Sequence, residues 1–169
     1  MATTVKTAIE IEGGYDAATV FEKIRKLDDY PRFMPDVRRV RILEQDDRTG
    51  ASEWDIEIEG CPLHWIESDR FDGLANSFSF DSVDGDFDRF SGRWQVFECA
   101  RGLRVEFEVE YLVGIPVIED IIGPILKVKM ERNTMKMLEH LKAEVEGSRE
   151  AVPGSAGSKQ DSAAARMAA

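Results

Sequence analysis

The sequence predicts an α+β protein in which one curved antiparallel sheet of about seven strands is closed by a long C-terminal helix. Three observations predict it. Most of the chain alternates apolar and polar residues with the two-residue period of a strand. The clearest case is Leu103–Val113, where Leu103, Val105, Phe107, Val109 and Tyr111 oppose Arg104, Glu106, Glu108 and Glu110. The period becomes helical only after Gly114 and Pro116, where Leu126, Met130, Met137, Leu141 and Val145 share one face. Strands that alternate in this way give the sheet one wet and one dry face, and only the last helix is long enough to cover the dry one.

Each element follows in order. Thr3–Glu12 reads as a strand with Val5, Ile9 and Ile11 among polar residues. Gly13-Gly14 ends it, and Asp16 is placed to cap a helix carrying Val20, Phe21, Ile24 and Leu27. In DDYPRFMPDV, Pro31 and Pro35 allow no more than a short helical turn. Arg38–Glu44 and Ser52–Glu59 are strands; in the second, Trp54, Ile56 and Ile58 face one way and Asp55, Glu57 and Glu59 the other. Leu63–Phe71, Ser77–Ser82, Phe87–Glu98 and Leu103–Val113 complete the sheet, with hairpin turns expected at Asp84-Gly85 and Arg101-Gly102. The final helix covers 117–146, and Gly123-Pro124 is expected to kink its beginning. A sheet curved around that helix is a helix grip, and side chains cannot fill the space inside it, so an elongated cavity is expected. Residues 147–169, rich in Ala, Ser and Gly, have little to bury and are expected to form a disordered tail after a single domain over 1–146.

Composition removes several function classes. The 169 residues carry 22 basic and 33 acidic side chains, a net charge of −11, which repels a phosphate backbone and argues against a nucleic-acid partner. No stretch reaches the roughly 18 apolar residues of a membrane span, and the start lacks the order of a secretory signal. A soluble, cytoplasmic protein is expected. Two cysteines, Cys61 and Cys99, and two histidines, His64 and His140, form no zinc-binding spacing. Asp81, Asp84, Asp86 and Asp88 lack the order of a calcium loop and read as a solvated turn. No metal and no nucleotide cofactor is expected.

The stretch Ala17–Glu44, AATVFEKIRKLDDYPRFMPDVRRVRILE, resembles the helix, aromatic-Pro turn and second strand of the SRPBCC superfamily, also called START-like or birch-allergen-like, and in particular its polyketide cyclase members. WIESDR is similar to the cavity-lining strand on which aromatase/cyclases of that family carry a Ser-x-Arg pair, here Ser68 and Arg70. Trp94 in GRW, and Asn133 in RNTMKMLEHLK on the long helix, match further positions. Tyr30 stands where those enzymes have tryptophan, and Val37 where they have tyrosine. The resemblance implies ring closure and dehydration of a poly-carbonyl chain. YPRFMP is also similar to the turn of the coenzyme-Q-binding branch, which implies the alternative of a non-catalytic carrier of a quinone or other lipid.

Strand parity divides Leu63–Phe71 into His64, Ile66, Ser68 and Arg70 on one face and Trp65, Glu67, Asp69 and Phe71 on the other, and both faces carry apolar residues. The resemblance places Ser68 and Arg70 inside. There Arg70, a fixed fork of donors that stays charged, would hold a carbonyl oxygen and stabilise the enolate beside it. The plain reading, Arg70 paired with an acidic neighbour such as Asp72, stands beside it. His64, on the same face, is a candidate proton carrier, as are Tyr30, a water held by Ser68, and Glu98; for His64 and Glu98 a place at the edge of solvent is the favoured alternative. Trp65, Trp94, Phe78, Phe80, Phe107 and Tyr111 are candidate walls for a planar substrate, and Asn133 a hydrogen-bonding group from the helix. Arg32, Arg38, Arg39 and Arg41 form a basic patch suited to an acidic acyl-carrier protein.

Overall fold

In the computed structural model, residues 1–58, 60–114 and 116–150 are described, with the side chains of 116–119, 122, 149 and 150 left aside. The elements in order are strand β1 (Thr3–Glu12), helix α1 (Ala17–Arg25), a 3₁₀ turn (Leu27–Asp29), helix α2 (Tyr30–Phe33), strands β2 (Val37–Gln45), β3 (Thr49–Ile58), β4 (Cys61–Asp72), β5 (Ser77–Gly85), β6 (Arg89–Cys99) and β7 (Gly102–Leu112), and helix α3 (Pro116–Glu150). The seven strands form one antiparallel sheet in the order β1-β7-β6-β5-β4-β3-β2. This is the helix-grip fold.

Local chemistry accounts for the start of the chain. The Asp16 carboxylate accepts from the backbone N–H of Thr19 at 3.0 Å and so caps α1, whose Val20, Phe21 and Ile24 are buried. The two prolines confine the next segment to one 3₁₀ turn and one turn of α2. On β7 the alternation is complete, with Leu103, Val105, Phe107, Val109 and Tyr111 all buried and the intervening residues half-buried. The long helix buries Met130, Leu138, Leu141 and Val145, and Leu126 and Met137 pack against the same core.

Two local expectations change. Asp84-Gly85 does not turn: both residues remain in β5, paired with Ile66 and Trp65, and the reversal comes at 86–88. Gly85 is required there because its φ is +133°, and a Cβ would lie 2.4 Å from the His64 carbonyl oxygen. The helix continues from Pro116 across Pro124 to Glu150, so 147–150 are helical; the rest of the expected tail, 151–169, lies outside the described residues.

Register then decides which side chains meet over the dry face. Residues directly paired across antiparallel strands share a face. Trp54 pairs with Trp65, Phe71 with Phe78, Phe78 with Trp94, and Trp94 with Phe107. This aromatic lining spans the middle of the sheet. Beside it the register of β4 with β5 slips between Ile66 and Glu67, leaving Val83 as the extra residue of a bulge.

Candidate functional site

The sheet does not close completely on α3. A cavity of about 120 Å³ remains, walled by Tyr30, Trp54, Trp65, Phe78, Phe80, Phe90, Trp94 and Phe107, with Met130, Asn133, Thr134 and Met137 from the helix. It runs out between Met34–Val37, Ile56 and Ile58 on one side and Lys136 and His140 on the other, and these last two are exposed. The expected wall residues Trp65, Trp94, Phe78, Phe80, Phe107 and Asn133 all lie on it. Tyr111 does not; its ring packs edge-on against Phe87.

Phe80 reaches the cavity because Gly92, its partner on β6, has no side chain: a Cβ there would sit 2.5 Å from the Phe80 ring. The indoles of Trp54 and Trp65 stack with 5.7 Å between centroids and 3° between planes. Trp94 packs edge-on to Tyr30 and tilted against Phe107.

The polar group that reaches this wall from the sheet is Glu67, which is 2% exposed. Its Oε2 accepts from the Trp65 indole N–H at 2.6 Å. Asp69, also 2% exposed, accepts from the Ser52 hydroxyl at 2.9 Å, and Ser52 accepts from the Trp54 indole N–H at 2.9 Å. Burial first, and then the charge of Asp69, pushes the Glu67 carboxyl well above the usual carboxylate range. Burial also raises Asp69, opposed by Ser52 and Glu67. On the helix side, the Nδ2 of Asn133 is buried with no hydrogen-bond partner among the described residues, an open donor on the cavity wall.

The arrangement corrects the sequence reading of β4. Arg70 points out of the sheet: its side chain is 62% exposed and its guanidinium pairs with Asp81 at 2.5 Å. Ser68 shares that outer face, half-buried and away from the cavity. His64 lies there too, with Nε2 3.1 Å from Glu53 and its ring 41% exposed. The cause is register: Trp54 faces in, so its partner Trp65 faces in, and Glu67 and Asp69 follow at period two. Where the resemblance expected Ser-x-Arg, the inward-facing pair is Glu-x-Asp, of which Glu67 reaches the cavity.

Tyr30 lines the cavity with its ring, but its hydroxyl donates to the Ile24 carbonyl, and burial together with Glu67 and Asp69 raises its pKa further. It is a wall and not a proton carrier. Glu98 is exposed at the end of β6. The basic patch is neutralised in place: Arg32 pairs with Glu144, Arg38 with Glu57, Arg39 with Asp55 and Arg41 with Glu53, at 2.6–2.9 Å. Each guanidinium of the patch thus has a carboxylate partner of its own, and nothing in this arrangement supports an acyl-carrier protein as partner. Of the four aspartates, Asp81 is taken by Arg70 and Asp86 accepts from the His64 backbone N–H at 2.6 Å; no metal-holding cluster occurs among the described residues. No helix among them is long and apolar enough to cross a membrane.

Arg70→Ala is therefore expected to leave the melting temperature and any cavity-dependent activity close to wild type, within about 0.5 kcal/mol for a solvent-facing pair. A calorimetric scan beside an activity assay checks this. A large loss of activity would place the guanidinium back in the chemistry.

A curved sheet gripping a helix over an apolar cavity defines a class of proteins that enclose small hydrophobic molecules. The chain belongs to the family described as polyketide cyclase / dehydrase and lipid transport, which matches residues 14–138. Solved structures with the same fold include TTHA0849 from Thermus thermophilus, with TM-score 0.77 and 20% identity over 88% of this chain and 99% of that one. The ZhuI aromatase/cyclase from Streptomyces sp. R1128 gives TM-score 0.80 and 17% identity over 91% and 99%. A START superfamily protein from Mycobacterium smegmatis gives 0.69 and 17% over 87% and 98%. At these identities the likeness is one of fold. No curated protein matches the sequence.

Proposed function

We propose that the protein is a cofactor-independent cyclase/dehydratase acting on a poly-carbonyl intermediate that becomes aromatic, with Glu67 as the proton-transfer group. The observation that carries this reading is the Glu67 carboxyl, buried in an aromatic wall and facing a cavity whose helix side offers an open amide donor, Asn133. A carboxyl whose proton is held by burial can donate a hydrogen bond to a ketone oxygen. The Asn133 N–H supports the same oxygen, or the enolate formed from it. Aromatic faces hold a flexible poly-ketone in one folded form, which makes ring closure effectively unimolecular, and they exclude water.

The size supports a substrate that enters ring-first. The volume is of the order of an engineered cavity of about 150 Å³ that takes a benzene ring. The reacting portion occupies the interior while the remaining chain leaves past Asp36, Lys136 and His140.

A second reading, carriage of a quinone or other lipid without turnover, is favoured by the otherwise apolar lining and by the breadth of the family. Two measurements separate them. Benzoylacetone, one aromatic ring bearing a β-diketone, is incubated with the protein in D₂O, and exchange of its α-protons is followed by NMR. Catalysed exchange is the expected result. No acceleration, together with a stoichiometric hydrophobic molecule extracted from the purified protein and seen by mass spectrometry, would overturn catalysis in favour of carriage.

A further inference from the structure

Glu67 and Asp69 lie two residues apart on one face of β4, and each is tied to one of the two stacked indoles. Glu67 is bonded directly by Trp65, and Asp69 through Ser52 by Trp54. Only Glu67 reaches the cavity; Asp69 stands beside it with Oδ1 left without a hydrogen-bond partner. Two adjacent carboxylates in an apolar wall repel too strongly for both to ionise, so such a pair titrates as a unit that keeps one proton. Among the described residues, the groups facing the pair do not supply a compensating cation. Tyr30 from α2 is neutral and spends its hydroxyl on Ile24, Asp36, Lys136 and His140 stand at the cavity mouth, and Arg25 lies over the Phe71 ring at 5.0 Å.

We infer that Glu67 and Asp69 form a one-proton pair in which Asp69 is the positioning residue, storing and returning the proton so that Glu67 serves as both base and acid in a dehydration. This rests on the catalytic reading above. At rest the shared proton sits on Glu67; it passes to Asp69 once the ketone is bound. The Glu67 carboxylate so formed takes the α-proton of a β-hydroxy ketone, the C–H electrons becoming an enolate held by the Asn133 amide. The pair now carries two protons and no charge, a state suited to a buried wall. Glu67 then gives its proton to the β-hydroxyl, the C–O bond breaks with its electrons on the departing water, and the enolate electrons close the C=C bond. Asp69 finally returns its stored proton to Glu67; one proton has entered the pair and one has left, so it regains its starting state without an outside donor.

The test uses the full chain and two readouts. Infrared spectra across a pH titration are expected to show the carbonyl stretch of a protonated carboxylic acid persisting above the range in which ordinary carboxyls ionise, absent in Glu67→Gln. In Asp69→Asn the same band titrates at lower pH, because the neighbouring charge is gone. The pH profile of benzoylacetone exchange moves with it, by about tenfold in rate for each pH unit of displacement. Should Asp69→Asn not fold, Ser52→Ala removes the donor that favours ionised Asp69, and the Glu67 band weakens as the proton moves to its neighbour. Unchanged band and unchanged pH profile in the folded variant would overturn the pair. The two proposals fail differently: exchange that survives Glu67→Gln sinks the catalytic reading, whereas exchange lost in Glu67→Gln but untouched in Asp69→Asn sinks only the pairing.

Discussion

Glu67→Gln is expected to slow benzoylacetone proton exchange by a factor of about 10²–10⁴, the usual worth of a positioned general acid or base. Glutamine keeps the shape of the side chain and can still accept from the Trp65 indole, so the fold survives the change. Its stability should differ from wild type in a pH-dependent way. The Glu67 pKa is raised by folding, so its contribution is fully present below the ordinary glutamate value of 4.5 and is lost as pH rises toward the folded-state pKa. Over that window each pH unit costs the wild type about 1.4 kcal/mol for one proton, and the glutamine variant does not bear this cost. Asp69 acts in the same direction. Asp46 acts in the opposite one, since backbone N–H groups of Arg48 and Thr49 hold its carboxyl low and its contribution is lost in acid. The melting temperature of the variant minus that of wild type is therefore expected to grow from about pH 4.5 upward. A difference that stays flat with pH would mean that Glu67 is ionised in the folded protein at little cost.

Trp94→Ala is expected to cost about 3–5 kcal/mol of stability, the range for removing a large buried aromatic. Trp94 is 2% exposed and touches both Tyr30 and Phe107, so its loss opens a void that the neighbouring strands cannot close. For a chain of this size the melting temperature should fall by roughly 10 °C. Urea unfolding should show a lower midpoint with an unchanged slope. A loss below about 1 kcal/mol would mean that the wall collapses into the gap. Because the void adjoins the cavity, the variant is also expected to accept bulkier ring systems than wild type.

The strands and the long helix were legible because their patterns are unambiguous: β7 alternates without a fault, and the helical period begins only beyond Pro116. Five of the six expected wall aromatics were legible for the same reason, since they sit on the apolar side of alternating strands. The inward face of β4 was harder. Trp65 and Phe71 argue for one face and Ile66 for the other, and the Ser-x-Arg resemblance selected the wrong one. The deciding information lies on the neighbouring strand. Trp54 is inward beside Ile56 and Ile58, and the short hairpin at Gly60 sets it opposite Trp65. Cross-strand pairing from that hairpin places Glu67 and Asp69 inside, against the ordinary expectation that carboxylates face water. The neutralised arginines of β2 were hidden for a related reason: Asp55 and Glu53 are remote in the sequence from Arg39 and Arg41, and only the β2–β3 register brings them together.

All three tryptophans of the chain, Trp54, Trp65 and Trp94, stand on the wall of the same cavity. Indole emission, excited selectively over tyrosine, is thus a report on that chamber alone, with no tryptophan elsewhere to dilute it. A molecule seated against the rings must alter their colour or yield, so occupancy can be titrated on the unlabelled protein before its natural occupant has been identified.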